Sequence, residues 1–385
     1  MKNKTLNRTL RIIGILILIP LISWLLLRFQ PKRPLYIYIL DKTVPTLERD
    51  KHRSFNWILN HNKYVKTNKR RYSYKKDYMG FYPLRPLREK QWDRKVIRLS
   101  EVLNLADSLD VLYYTDTYGV YFNDWYKGLS KNRRSRLIDG GLKAYDYLLL
   151  KEMKDRNKLI MAEYNILDYP TSPLDRNKTE TLFGIHWTEW TGKYFESLDI
   201  LKNPDFPPWI VSLYEKQYRK DWNFNNSGIV LVKGNRVVVL ENETHLDLEV
   251  PYIYTTTYGR EKFGLLPYKV NFPYWFEVIE SGENNVIANF KIHTNEVGDS
   301  ILYSNMIHKI FPAIIEQPGE NNYYYFAGDF TYNPVNNKTA YFKGIEKLEF
   351  LLVNDAPGNG TRFYWSYYKP LITSILDNYY QKINP

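Results

Sequence analysis

No cysteine occurs among the 385 residues. That excludes a disulfide framework, a thiol nucleophile, an iron–sulfur centre, a thiolate zinc site and a bacterial lipoprotein anchor. The six histidines, His52, His61, His186, His245, His293 and His308, are scattered without metal-ligand spacing. No glycine-rich dinucleotide fingerprint, Walker phosphate loop, HExxH pair or GxSxG nucleophile elbow is present. The sequence therefore implies no cofactor and no metal by motif. Long apolar runs are equally scarce, with one uncharged stretch, residues 12–27 (IIGILILIPLISWLLL), bracketed by Arg11 and Arg28.

What is present describes a folded protein: 44% of residues are hydrophobic and 25% charged. Beyond the apolar stretch, roughly 350 residues remain, more than one average domain. The formal charge is +12, and its excess is confined to one end. Residues 1–98 carry 24 basic and 6 acidic side chains, whereas the rest carry 30 and 36. A basic quarter on a mildly acidic body argues against nucleic acid as the partner, because a basic stripe across the folded domain is missing. It suits anionic lipid headgroups or an anionic polymer near a membrane. The densest run is Lys63, Lys66, Lys69, Arg70, Arg71, Lys75 and Lys76, interleaved with Tyr64, Tyr72 and Tyr74.

The apolar stretch with its flanks, residues 12–29, reads as a transmembrane signal anchor, since flanking arginines can snorkel to the headgroups and no small-residue cleavage site follows. Lys2, Lys4, Arg8 and Arg11 precede it, which puts residues 1–11 in the cytoplasm and the body outside. The expectation is a single-pass protein of the cytoplasmic membrane, its body facing the periplasm or cell exterior.

Along the body, residues 35–40 (LYIYIL), 110–114 (DVLYY), 158–164 (KLIMAEY) and 323–327 (YYYFA) read as buried strands. Residues 51–62, 99–109 and 142–155 have helical apolar spacing, and 343–352 and 370–380 are further helical candidates. Strand–helix–strand alternation predicts an α/β fold with an open, mostly parallel, flavodoxin-like sheet. Two apparent hairpins, 228–240 around Lys233–Gly234–Asn235 and 274–291 around Gly282–Glu283–Asn284, suggest a change of texture. The expected division is 30–184 as the first part of the α/β domain, 185–320 as a β-rich insertion or second lobe, and 321–385 as a return to the α/β domain.

Ligands of open parallel sheets bind beyond the carboxyl ends of the strands. The residues expected there are Asp41, Lys42 and Thr43, then Asp116, Thr117 and Tyr118, then Glu163 and Asn165, then Asp329. Four converging carboxylates are suited to acid–base work or to a hard cation such as calcium or magnesium, while Asp, Asn and Thr at strand ends also cap helices and turns. Glu163, Asp116 and Asp329 are the candidate catalytic groups. Thr171, Arg176, Trp187 and Trp190 extend the candidate ligand surface, because 35 tyrosines and 10 tryptophans suit stacking on sugar rings. Aromatics filling a seam between lobes is the competing reading of both tryptophans.

The runs LDKTVP (40–45), YYTDTYGVY (113–121), AEYN (162–165), PTSP (170–173), WTGKYF (190–195) and YFAGDF (325–330) resemble a family of bacterial membrane-anchored proteins. That family is associated with exopolysaccharide glycosyltransferases, and its body is similar to the class I glutamine-amidotransferase-like architecture. No activity travels with the resemblance, and without cysteine there is no amidotransferase nucleophile. The anchor, the basic juxtamembrane region, the aromatic content and the missing catalytic motif point to a membrane-anchored accessory subunit that binds a polysaccharide, or a membrane glycosyltransferase or export complex. The alternative is a glycan-active hydrolase built on the strand-end carboxylates.

Overall fold

The computed structural model describes residues 18–128, 135–204, 206–319 and 322–385. Residues 1–17, which hold the expected cytoplasmic segment 1–11 and the first third of the expected anchor, lie outside the described residues. Residues 18–28 are helical, and among the described residues no helix is long and apolar enough to cross a membrane.

The strands of the two main sheets, in chain order, are β1 (Ile37–Asp41), β2 (Val111–Asp116), β3 (Leu159–Glu163), β4 (His186–Phe195), β5 (Gly228–Lys233), β6 (Arg236–Glu241), β7 (Tyr252–Thr255), β8 (Lys269–Asn271), β9 (Phe276–Glu280), β10 (Asn285–Lys291), β11 (Ile310–Glu316) and β12 (Tyr323–Phe326). The helices that bear on the site are α1 (Asp50–His61), α2 (Val102–Ser108), α3 (Ala144–Asp155), α4 (Pro173–Phe183) and α5 (Lys369–Ile383).

Eight strands form one sheet in the order β8-β7-β10-β11-β12-β3-β2-β1. Its β12-β3-β2-β1 half is parallel, and the half from β12 to β8 is antiparallel. The expected open, mostly parallel sheet is therefore corrected to a large mixed sheet. The parallel half is fully buried along β1, β2 and β3, as strands covered on both faces require. Helix α1 packs on β1 and β2, with α5 against it, while α2 and α3 pack together.

A second, four-stranded antiparallel sheet has the order β6-β5-β4-β9. The β5–β6 pair is a tight hairpin closed by Gly234 and Asn235, with Gly234 at φ +55°, the left-handed backbone such a turn favours. The second expected hairpin is corrected: β9 pairs with β4 in the small sheet, while β10 pairs with β7 and β11 in the large one. Local alternation marks both strands, but their partners are set by contacts distant in sequence. Four strands from the expected β-rich insertion, β7, β8, β10 and β11, extend the α/β sheet itself. Residues 343–352 form no single helix but a 3₁₀ turn, Ile345–Leu348, and a four-residue helix, Glu349–Leu352.

Tyrosine abundance is largely a property of the core. Tyr113, Tyr114 and Tyr325 are fully buried, and each hydroxyl is satisfied, by Glu163, the Asp146 carbonyl and Glu277 respectively.

Candidate functional site

The parallel half brings the carboxyl ends of β12, β3, β2 and β1 to one edge, so Asp329, Glu163, Asp116 and Asp41 line up in that order. The convergence expected from the strand ends is thus present. Each carboxylate is already engaged. Asp41 accepts the Thr43 amide at 2.9 Å and faces His52 Nδ1 at 2.6 Å, and the other ring nitrogen of His52 is 2.7 Å from the Tyr74 carbonyl. Asp116 accepts the Thr43 hydroxyl at 2.6 Å and the Tyr118 amide at 2.7 Å, with Asn165 Nδ2 at 3.4 Å. Glu163 Oε2 accepts the Phe330 amide at 3.0 Å, the Thr331 amide at 3.1 Å and the Thr331 hydroxyl at 3.0 Å, and Tyr113 donates to Oε1. Glu163 is thus a buried tether for the loop after β12.

Lys51 is the group that sequence reasoning missed. It stands in the first turn of α1, only 14% exposed, with Nζ 3.2 Å from Asp116 Oδ2 and paired with Asp329. An ammonium between two carboxylates supplies from the chain itself the positive charge that a hard cation would bring. Among the described residues no group of three or more His, Asp or Glu is arranged to hold a metal. Asp329 Oδ1 is buried without a hydrogen-bond partner among the described residues. Burial pushes the Asp329 carboxyl up to about 6, even though Lys51 pulls it down. Burial likewise raises Glu163, with Asp329 adding to the effect.

Lys42 does not join this cluster. Its ammonium lies 2.6 Å from Asp146 Oδ2 and 2.8 Å from the Gly141 carbonyl, with both side chains buried, and the same Asp146 oxygen caps α3 by accepting the Lys143 amide at 3.0 Å. Its expected ligand role is corrected to a buried structural pair. Thr117 donates to the Asn165 carbonyl at 2.8 Å, and Thr171 bridges the Leu142 amide and the Ile166 carbonyl at 2.9 Å each, so both hydroxyls organise loops. Arg176 pairs with Glu189 at 3.3 Å and lies 5.4 Å from the Trp187 ring. Trp187 and Trp190 are 4% and 2% exposed. Neither indole offers a face to a sugar, and both belong to the packing of the small sheet against the core.

The rim of the strand ends is aromatic. Tyr118, Tyr169 and Tyr332 are exposed, the Tyr118 ring lies 5.0 Å from that of Tyr121 at a tilt of 41°, and the Tyr332 ring lies 5.1 Å from Lys51 Nζ. Two clefts of the molecule, about 440 and 460 Å³, lie elsewhere, beside Tyr303 and His308 and beside Glu249 and Lys269. The strand-end cluster itself is closed apart from this rim.

Glu277 is the second missed group, although a lone acid inside the apolar run YWFEVI was its signal. It is fully buried on β9, receives the Tyr325 hydroxyl, and burial pushes its carboxyl to about 8. A carboxyl raised in the fold binds its proton more tightly folded than unfolded. Its destabilising charge is absent below the unfolded pKa of 4.5 and fully present above about 8. Stability is therefore lost as pH rises through that window. Glu277→Gln removes this loss, so the variant is expected to gain on the wild type by on the order of 2 to 4 kcal/mol between pH 5 and pH 9. Urea midpoints across that range measure it, and a pH-independent difference between the two proteins contradicts a buried ionising Glu277.

No protein-family model matches the chain, and no curated protein matches it. Among solved structures, a ThuA-like protein from Bacteroides uniformis ATCC 8492 aligns with 8% identity and a TM-score of 0.34, covering 86% of this chain and 96% of its own.

Proposed function

We propose that the protein is a membrane-anchored, extracytoplasmic accessory subunit that binds a glycan, or the membrane glycosyltransferase or export complex that makes and moves it. One observation carries this reading. The strand-end carboxylates are held by the chain's own donors, while the part that meets solvent is a rim of exposed tyrosines and hydroxyls. Such a surface suits stacking on sugar faces with hydrogen bonds to hydroxyls, and does not require a proton to be exchanged. The anchor at residues 12–29 and the basic first quarter support a place at the membrane.

The test is full-length protein in mild detergent, titrated with bacterial polysaccharide fragments and analysed for proteins that stay attached. Tyr118→Ala with Tyr332→Ala is expected to weaken glycan binding about tenfold, the equivalent of ~1.4 kcal/mol. A protein that binds no glycan and copurifies with no membrane protein overturns the reading.

Asp329 favours a second reading, a glycan-active hydrolase. A carboxyl raised to about 6 with one unpaired oxygen resembles a general acid or base, with Asp116 on the other side of Lys51. Glu163, enclosed by the loop it tethers, has no part in that version. Hydrolysis of a glycan panel by the wild type and its loss in Asp329→Asn would establish the second reading over the first.

A further inference from the structure

The body carries an apolar lip beside the helix at residues 18–28. The middle of that helix meets the carboxyl-terminal third of the chain through a reciprocal pair of bonds: Ser23 Oγ donates to the Lys343 carbonyl at 2.8 Å, and the Lys343 amide donates to the Ser23 carbonyl at 3.3 Å. Immediately after Lys343, the 3₁₀ turn Ile345–Leu348 and the helix Glu349–Leu352 turn Ile345 and Leu352 toward the core. Leu348, Phe350 and Leu351 face outward, and Phe350 and Leu351 are 75% and 69% exposed. Three neighbouring large apolar side chains held open to water, a few residues past the point where Lys343 meets helix 18–28 with its own exposed leucines and isoleucines, mark a contact surface.

The surroundings of the lip state the chemistry of what covers it. Lys63 Nζ bonds the Arg28 carbonyl at 3.2 Å, Lys32 Nζ bonds the Lys69 carbonyl at 3.1 Å, and Arg71 lies 4.8 Å from the Tyr341 ring. These cations crowd one another: burial, then Arg71, Lys32 and Arg28, hold the Lys63 ammonium below its usual range. Crowded positive charge at the exit of an apolar helix calls for anions in the same plane as the apolar side chains.

We propose that Leu348, Phe350 and Leu351 insert into the interfacial layer of an anionic bilayer, so that the body is held on the membrane at two points and cannot swing freely on its anchor. This rests on the membrane-anchor reading. Two-point contact fixes which face of the body is turned toward a membrane partner, with residues 63–71 over the headgroups.

The absence of cysteine makes the test clean. Full-length single-cysteine variants Phe350→Cys, Ile19→Cys and Leu201→Cys carry an environment-sensitive NBD label and are reconstituted in phosphatidylglycerol-containing vesicles with or without nitroxide lipids. All three positions are exposed, so the label is accommodated without repacking, and Leu201 lies between Leu198 and Phe206, which pack on the small sheet. The expected result is blue-shifted emission and nitroxide quenching at 19 and at 350, with neither at 201. Quenching at 19 but not at 350 overturns the proposal and leaves the anchor standing. Quenching at neither position overturns the anchor and the proposal together.

Discussion

Replacing Lys42 by methionine is expected to cost about 3 to 5 kcal/mol of folding stability, the range for removing one partner of a fully buried ion pair. The ammonium and the Asp146 carboxylate are each about 1% exposed and lie 2.6 Å apart. Burial pushes the Asp146 carboxyl up while Lys42 pulls it down, so without the lysine the carboxylate stays buried with no counter-charge. The Gly141 carbonyl loses its donor as well, and the amino-terminal cap of α3 depends on the same carboxyl oxygen. Chemical denaturation at pH 7.5 measures the loss. The double variant Lys42→Met with Asp146→Asn is expected to recover part of it, because the amide oxygen can still cap α3 and no charge is left alone. A near-neutral Lys42→Met would mean that the lysine reaches solvent and is free to meet a ligand after all.

Replacing Lys51 by methionine is expected to cost about 3 kcal/mol at pH 8, with most of the cost relieved near pH 5. Lys51 sits between Asp116 and Asp329, both almost fully buried, and its removal leaves two carboxylates facing one another. Asp329, raised by burial to about 6 with Lys51 present, rises further when the attraction of Lys51 is lost. The penalty of a raised folded pKa is absent below the unfolded value of 3.8 and grows with pH up to the folded value, so wild type and variant share it up to about 6 and part only above. In each protein the penalty is complete once the pH exceeds its folded value. Lys51→Met should therefore differ most from the wild type in alkaline solution, and adding Asp329→Asn should restore much of the loss there. Equal losses at pH 5 and pH 8 would show that the lysine acts by packing its stem and not by its charge. The pH profile separates these outcomes even if the variant unfolds at the alkaline end.

Both predictions concern lysines, and the two were legible in the sequence to different degrees. Lys42 stood out because it follows a buried strand directly, but strand-end position does not fix the direction of a long side chain. The side chain turns instead to Asp146 in the first turn of α3, more than 100 residues away in sequence. Lys51 looked like an ordinary residue in the first turn of an amphipathic helix. It becomes central because α1 packs across β1 and β2 and carries that turn over the strand ends. Trp187 and Trp190 looked like sugar platforms by composition, yet β4 places both indoles against the core. Glu277 was visible only as an exception to its apolar surroundings.

The sequence by itself determined the strands and helices of the α/β half, because buried strands and amphipathic helices write their periods into consecutive residues. It also determined that Asp41, Asp116, Glu163 and Asp329 end four of those strands, and a parallel arrangement then brings strand ends together. Only the tertiary structure decided that the sheet continues as an antiparallel half, that β9 and β10 part into different sheets, and which carboxylates keep an oxygen free. Strand pairing and the aim of a long side chain depend on partners tens to hundreds of residues apart, and the energy of a buried charge depends on what surrounds it. Neither is written in any local window of the chain.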